Sequence, residues 1–480
     1  MTTSTVGESR VPGPGGSTLY FSAATPAAAH ARRVLLISYH FPPDPVVGGL
    51  RWQHMARAFG EEGWAVDVVA RDFRDVPDLD RERLDHLPAG TRVFSVADRE
   101  PLLGVVQRHL WPIVRRFRGP RAVRDGPDAL TQVEVRRPGG GARGVVRTYL
   151  AWLEFARGAK WAHGAAKAGT ELARSGDYIA VISSGPPHMA HEAARLVSRA
   201  TGLPHVGDFR DPWSLVQRLP EDVASPTWLR LAQRYEGAVV ANATLITMNT
   251  EPSCAAMRSA YPASVGKIQV VRNGCDDDPL PPATRDSCFR IRFAGSIYMD
   301  RDPRLVFRAA SRMIREQGIR PGQFQFEFIG DVNSFAGTTT LQIADEEGIA
   351  DFVSVGGRLP RKEVFEFLAG ATILLSLPQD SDFAIPAKIY EYMRFEAWML
   401  VLAHPGSATA QVLRDTEADV VEPADVDEIT RVLRLRYEQF TQGTHPKAVA
   451  QDGRFDRKVQ AATLIGFIQQ IDENAARTPR

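Results

Sequence analysis

The run Ile385-Pro386-Ala387-Lys388-Ile389-Tyr390-Glu391-Tyr392-Met393 concentrates a helix start, a cation and a carboxylate within two turns. Proline is favoured at the first helical position, where its missing N–H costs nothing. A helix start directs N–H groups and positive partial charge at an anion. The pattern predicts that Pro386 and Ala387 open a helix, with Lys388 adding a full charge at that end. Glu391 then falls on the same face as Lys388, where it could accept from sugar hydroxyls. A phosphate grip beside a hydroxyl acceptor is what a nucleotide sugar requires. The same residues also suit a core helix with a solvated Lys–Glu pair, so the rest of the chain must decide.

The elements that would position such a grip alternate between strand and helix. Residues 33–38 form a continuous apolar run, 50–60 have helical spacing, and 63–69 form a second strand; together they read as a βαβ unit. Further strands are expected at 178–182, 204–207, 245–248 and 268–271, followed by an Asn273-Gly274 turn. A second series has strands at 289–293, 325–329, 352–355, 372–375 and 399–402. Helices are expected at 303–316, 362–368 and 387–395, with a closing amphipathic helix at 455–471. The expected fold class is α/β, with two doubly wound Rossmann-like domains facing a central cleft. The expected division is a disordered tail over 1–31, a first domain over 32–284, a second over 285–450, and a closing helix and tail over 451–480.

A chain of 480 residues exceeds what one core usually supports. Its 44% hydrophobic and 24% charged content is that of an ordinary globular protein, and a net charge of +1 makes no case for nucleic acid. Cys254, Cys275 and Cys288 form no C-x-x-C pair, which fits reduced structural thiols in a cytoplasm better than a disulfide framework or zinc site. No run approaches the roughly 18–20 apolar residues of a spanning helix, and no basic start precedes an apolar stretch. The expected location is therefore cytoplasmic, with any membrane contact made from the inner face. One region differs, a basic insertion over 101–150. From Arg108 to Arg147, ten arginines face three acids, Asp125, Asp128 and Glu134, with Trp111 and Phe117 interleaved. That composition suits peripheral contact with anionic lipid or a pyrophosphate-linked acceptor, and equally a solvated insertion.

Other segments fall in a telling order. Tyr39-His40-Phe41-Pro42-Pro43 leads to Gly48-Gly49-Leu50-Arg51, and Ser184-Gly185-Pro186-Pro187-His188 opens a helix. Asp208-Phe209-Arg210-Asp211-Pro212-Trp213 follows a strand, then come Val271-Arg272-Asn273-Gly274-Cys275-Asp276 and Phe293-Ala294-Gly295-Ser296. With the Pro386–Glu391 start, the chain resembles glycosyltransferases of the GT-B fold, close to glycosyltransferase family 4, over residues 32–475 apart from the insertion.

The resemblance implies transfer of a sugar from a nucleoside diphosphate donor, UDP- or GDP-linked, to an acceptor hydroxyl with retention of configuration. The donor would lie against the second domain and the acceptor against the first. Donor contacts are then expected from Gly48, Gly49, Arg51, Gly295, Ser296, Arg301, Pro386, Ala387, Lys388 and Glu391. Asp208 or Asp211 would orient the acceptor hydroxyl or take its proton, and Arg210 and Lys388 would neutralise the leaving phosphate. The Asp208–Asp211 segment equally suits a buried Asp–Arg network holding the loop, and both readings can hold. His188 is an acceptor-side candidate, and the loops Gly330-Asp331 and Gly356-Gly357-Arg358 would border the base. The longer family signature has a second Glu where this chain has Phe383, which leaves Asp380 and Asp382 as substitutes. Asp276-Asp277-Asp278 reads as a solvated linker, so neither a metal nor another cofactor is expected. The acceptor is not legible; a glycan, a lipid-linked sugar or a small molecule would serve. A nucleotide-sugar epimerase or hydrolase of the same fold, or a non-catalytic scaffold, would share the donor half.

Overall fold

A computed structural model describes residues 11–98, 132–134, 142–216, 218–220, 223–275, 279–284, 286–298, 301–378, 381–450 and 453–477. Most of the basic insertion lies outside them, as do Asp276-Asp277-Asp278 and Asp380. The chain divides into two compact units at Asn273/Gly274, upstream of the expected 284, and the segment from Arg457 belongs to the first unit.

The first unit is built on a nine-stranded sheet of Val11–Pro12 (β1), Thr18–Ser22 (β2), Arg33–Ser38 (β3), Ala65–Arg71 (β4), Arg92–Val96 (β5), Ala180–Gly185 (β6), His205–Phe209 (β7), Leu245–Met248 (β8) and Ile268–Val270 (β9), in the order β1-β2-β5-β4-β3-β6-β7-β8-β9. From β5 to β9 every pairing is parallel. The order reverses at β3, so a crevice opens beyond the carboxyl ends of β3 and β6, the usual place for a ligand in such sheets. β1 and β2 add antiparallel, β2 pairing with β5. This corrects the expected tail over residues 11–22: Tyr20 and Phe21 are buried, and their side chains supply the apolar surface that a Gly/Pro-rich segment otherwise lacks.

Alternation along β3 shows how the sheet is covered. Leu35 and Ile37 face a core with Phe155 and Trp161 of the helix Ala142–Ser175 (α2), Ala193 and Val197 of Met189–Thr201 (α3), and Trp228 and Val239 of Pro226–Asn242 (α4). Val34 and Leu36 face Trp52, Met55 and Phe59 of Leu50–Glu61 (α1), together with Leu464, Ile465 and Ile468 of the closing helix, Arg457–Arg477.

The second unit has six parallel strands, Phe289–Ser296 (β10), Phe324–Asp331 (β11), Val353–Gly356 (β12), Ile373–Ser376 (β13), Trp398–Leu402 (β14) and Asp419–Val421 (β15), ordered β12-β11-β10-β13-β14-β15. Its reversal falls between β10 and β13. On one face Phe293 and Phe328 pack with Phe307 and Met313 of Arg304–Gln317 (α5) and with Ile429 and Leu433 of Val426–Thr441. On the other, Leu374 and Met399 pack with Phe365 and Leu368 of Arg361–Ala369 (α6) and with Ile389, Tyr390 and Tyr392 of Ala387–Tyr392 (α7). Among the described residues no helix is long and apolar enough to cross a membrane.

Candidate functional site

Each unit places charged groups at its own sheet reversal, and the two sets differ in how far they are satisfied. In the first unit Asp208 ends β7, fully buried. It accepts from Arg51 Nε (3.0 Å) and Nη2 (2.9 Å), Trp52 Nε1 (2.8 Å), Thr247 Oγ1 (3.0 Å) and Ser184 Oγ (3.4 Å). Although burial alone would raise its pKa, the Arg51 charge and these donors leave it below the usual carboxylate value. Arg51 also donates to the carbonyls of Val271 and Arg272 and to Asn273 Oδ1, at 3.0, 3.0 and 2.8 Å. All five of its N–H groups are therefore committed. With every N–H group of Arg51 paired and Asp208 accepting five hydrogen bonds, the arrangement is that of a buried Asp–Arg network holding the loop. They form a buried pair that ties α1 to β7 and to the segment after β9.

Arg210 is different. Its Nε donates to the carbonyl of Gly185 (3.0 Å), Nη1 to that of Gly48 (2.7 Å) and Nη2 to that of Pro186. Three carbonyls hold it, and no described carboxylate forms an ion pair with it. A Cβ at Gly48 would come 3.2 Å from the guanidinium, a tight contact that would ask Arg210 to shift slightly. One N–H on each terminal nitrogen remains unused. Gly49 donates its own N–H to Val46 (3.0 Å), which withdraws it from the expected phosphate cradle. Asp211 follows, half-buried.

His188 stacks on Trp213 with centroids 5.2 Å apart, its Nδ1 buried and without a hydrogen-bond partner. Burial, aided by the Arg210 charge, pushes its pKa down to about 3, so it is neutral at physiological pH. Residues not singled out from the sequence complete this region. Ser183 Oγ bridges His191 Nδ1 (2.9 Å) and His205 Nε2 (2.8 Å), and Glu236 accepts from the N–H groups of Trp213 and Ser214, both at 2.9 Å. Asp208 and Trp213 thus bracket a loop pinned at both ends. Beyond the opposite edge of the sheet, an open cleft of about 820 Å³ is walled by Tyr20, Phe73, Arg74, Asp78 and Arg81.

In the second unit the expected donor residues converge. Gly295 and Gly330 lie side by side at the ends of β10 and β11, with φ of +149° and +114°. A Cβ on Gly330 would come 2.1 Å from the Gly295 carbonyl, so these strand ends meet only as glycines. Into this opening α7 sends Lys388, whose Nζ lies 3.9 Å from the Phe293 ring centroid and 2.7 Å from where a Gly295 Cβ would be. Its ammonium is buried without a hydrogen-bond partner. Arg301 donates to the Ser296 carbonyl (3.2 Å) and stacks on Tyr298 at 4.1 Å. Burial first, then the Arg301 charge, lowers the Lys388 pKa to about 7, with Glu391 opposing. Tyr392 fastens this corner, its hydroxyl taking the Ala294 N–H (3.0 Å) and donating to the Ala294 carbonyl (3.3 Å).

The helix reading of the motif needs adjustment. Pro386 is the N-cap and Ala387 the first helical residue, and α7 has only six residues. So short a helix has little macrodipole, so the positive end rests on the Lys388 side chain. Glu391 is about a third exposed (34%), with Arg361 Nη1 at 3.9 Å. Phe383 donates its N–H to Ser381 Oγ (3.2 Å), the Asp382 carbonyl accepts from the Ala408 N–H (2.7 Å), and Asp382 is exposed. Among the described residues no group of three or more His, Cys, Asp or Glu side chains is placed to hold a metal ion.

Two doubly wound units, each with its charged groups at a sheet reversal, are the architecture of the GT-B class, and comparison with solved structures agrees. A glycosyltransferase from Rickettsia africae aligns with a TM-score of 0.55 at 10% identity, over 92% of this chain and 99% of that one. An α,α-trehalose 6-phosphate synthase from Burkholderia multivorans gives 0.55 at 12% identity, over 94% and 100%. HepE from Anabaena, in complex with UDP and glucose, gives 0.54 at 13% identity, over 92% and 100%. At these identities the likeness is one of fold. In sequence, a D-inositol 3-phosphate glycosyltransferase from Thermobifida fusca is 25% identical over 170 residues, 32% of this chain. The match spans only 38% of that relative's length. No protein-family model matches the chain.

Proposed function

We propose that the protein is a retaining glycosyltransferase that moves a sugar from a nucleoside diphosphate sugar to an acceptor hydroxyl. The observation that carries this reading is Lys388, a buried amine without a hydrogen-bond partner, beside Arg301 and the paired glycines Gly295 and Gly330. Burying an amine without a partner is costly, and an anion placed at the strand ends relieves that cost. Two cationic side chains suit a diphosphate, and Glu391 is exposed enough to accept from ribose hydroxyls. Support also comes from HepE, solved with UDP and with UDP-glucose.

In the mechanism we infer, Lys388 and Arg301 stabilise charge on the departing diphosphate while the acceptor oxygen attacks from the face the diphosphate leaves. Catalysis then lies in electrostatic stabilisation and positioning, with no metal or cofactor called for. Arg210, held by carbonyls alone, is the first unit's candidate for anionic substrate groups, and His188 and Asp211 flank it on the acceptor side. The acceptor itself is a glycan, a lipid-linked sugar or a small molecule, and peripheral contact with anionic membrane through the basic insertion fits the lipid-linked case. The test is a thermal-shift panel of nucleoside diphosphates and their sugars, since a bound donor raises the melting temperature by mass action. A shift with UDP- or GDP-sugars supports the reading; no shift with any of them refutes it. Anomeric configuration of the product, read by NMR, decides retention, and product formed without an acceptor would mark a hydrolase or epimerase instead.

A further inference from the structure

The surroundings of Lys388 raise a problem of charge. Lys388 Nζ lies in a recess made by the Phe293 ring, the Gly295 backbone and the neighbourhood of Arg301, with no acceptor in reach. A protonated amine there would face a second cation without solvent or a hydrogen bond, and only the ring face and the Glu391 carboxylate would favour its charge. The charged groups facing it are Arg301, from the loop after β10, and Glu391, from its own helix; Arg361 of α6 stands 3.9 Å from Glu391. The nearby Tyr392 hydroxyl is neutral, its pKa raised by burial.

We propose that Lys388 is a proton-coupled clamp, its amine taking one proton from solvent as a diphosphate binds at the end of β10. The amine nitrogen lone pair accepts the proton, the buffer's conjugate acid supplies it, and no covalent bond to phosphorus forms. Before binding, the amine and ammonium forms exchange near neutral pH, because burial and Arg301 bring the pKa to about 7. Once the anion arrives, the ammonium gains an opposite charge and hydrogen-bond acceptors, and its protonated form dominates. The sign follows: affinity is greatest below neutral pH and falls as pH rises through the free-state pKa. This inference rests on the donor reading above.

Calorimetric titration of the full chain with UDP and with GDP, in buffers of different ionisation enthalpy, tests it. The expected result is uptake of about 0.9 proton per bound nucleotide at about pH 8, with affinity falling about tenfold from about pH 8 to pH 9. A Lys388→Arg variant, whose side chain is always charged, should bind without that uptake and without that slope. Lys388→Met covers the case in which arginine does not fit the recess, and it too should show no uptake. Nucleotide binding with no net proton uptake at about pH 8, or with uptake unchanged in both variants, would overturn the inference and leave the donor reading standing. No nucleotide binding at any pH from about 6 to 9 would overturn both.

Discussion

The two sheet reversals use charge in opposite ways. At the first, Asp208 and Arg51 satisfy each other and every neighbour, and Arg210 is fixed by three carbonyls. At the second, Lys388 is buried with nothing to bind. A saturated buried pair holds the architecture, because each member exists to neutralise the other. An unsatisfied one carries a desolvation cost that an anion at the strand ends would relieve. Residue type alone does not separate these cases: Arg51 and Lys388 are both cations in the first turn of a helix.

The sharpest way to break the contrast is Asp208→Ala. It should cost about 3–5 kcal/mol of stability by stranding Arg51, seen as a lowered denaturation midpoint. A variant of normal stability that has lost only turnover would return Asp208 to the chemistry. Lys388→Ala should do the reverse, cutting turnover roughly 10²–10³-fold with little loss of stability; near-normal turnover would remove Lys388 from the mechanism. The buried imidazoles offer a pH test confined to the first unit. His188 and His205 have pKa values pushed down to about 3 by burial, and that of His191 is also well below normal. Unfolded histidines take up protons near pH 6.5 and the folded ones do not, so stability should fall as pH drops from about 6.5 toward 3. The slope should be about 1.4 kcal/mol per pH unit for each histidine, and His205→Asn should flatten it. The smallest effect is expected at Glu391, where Glu391→Gln should raise the donor KM about tenfold, or about 1.4 kcal/mol, with kcat nearly unchanged. An equal loss in kcat would place that carboxylate at the reacting carbon instead of the ribose.

Much of the scaffold was legible because parallel strands buried on both faces are apolar throughout and helices repeat every three to four residues. That is why 33–38 and 245–248 match observed strands, why 289–293 falls within β10, and why 303–316 differs from α5 by one residue at each end. What escaped notice lacked those patterns. β2 sits in a Gly/Pro-rich stretch and gains its burial only by pairing with β5. α2 is rich in alanine and glycine, so its apolar face is faint, and its start falls within the arginine-rich stretch. The Ser183–His191–His205 bridge joins residues whose spacing carries no signal, since two strands and a helix bring them together.

The sequence by itself determined the class of fold, the order of its motifs and the positions of Gly295, Lys388 and Glu391, because strand and helix periodicity and glycine punctuation are local properties. Only the tertiary structure decided what each charge does. Satisfaction is a sum over neighbours distant in the chain: Arg51 finds its partners at 208 and 271–273, whereas Lys388 reaches the end of β10 and finds none. No local pattern records that difference, since it arises when strands far apart in sequence end side by side.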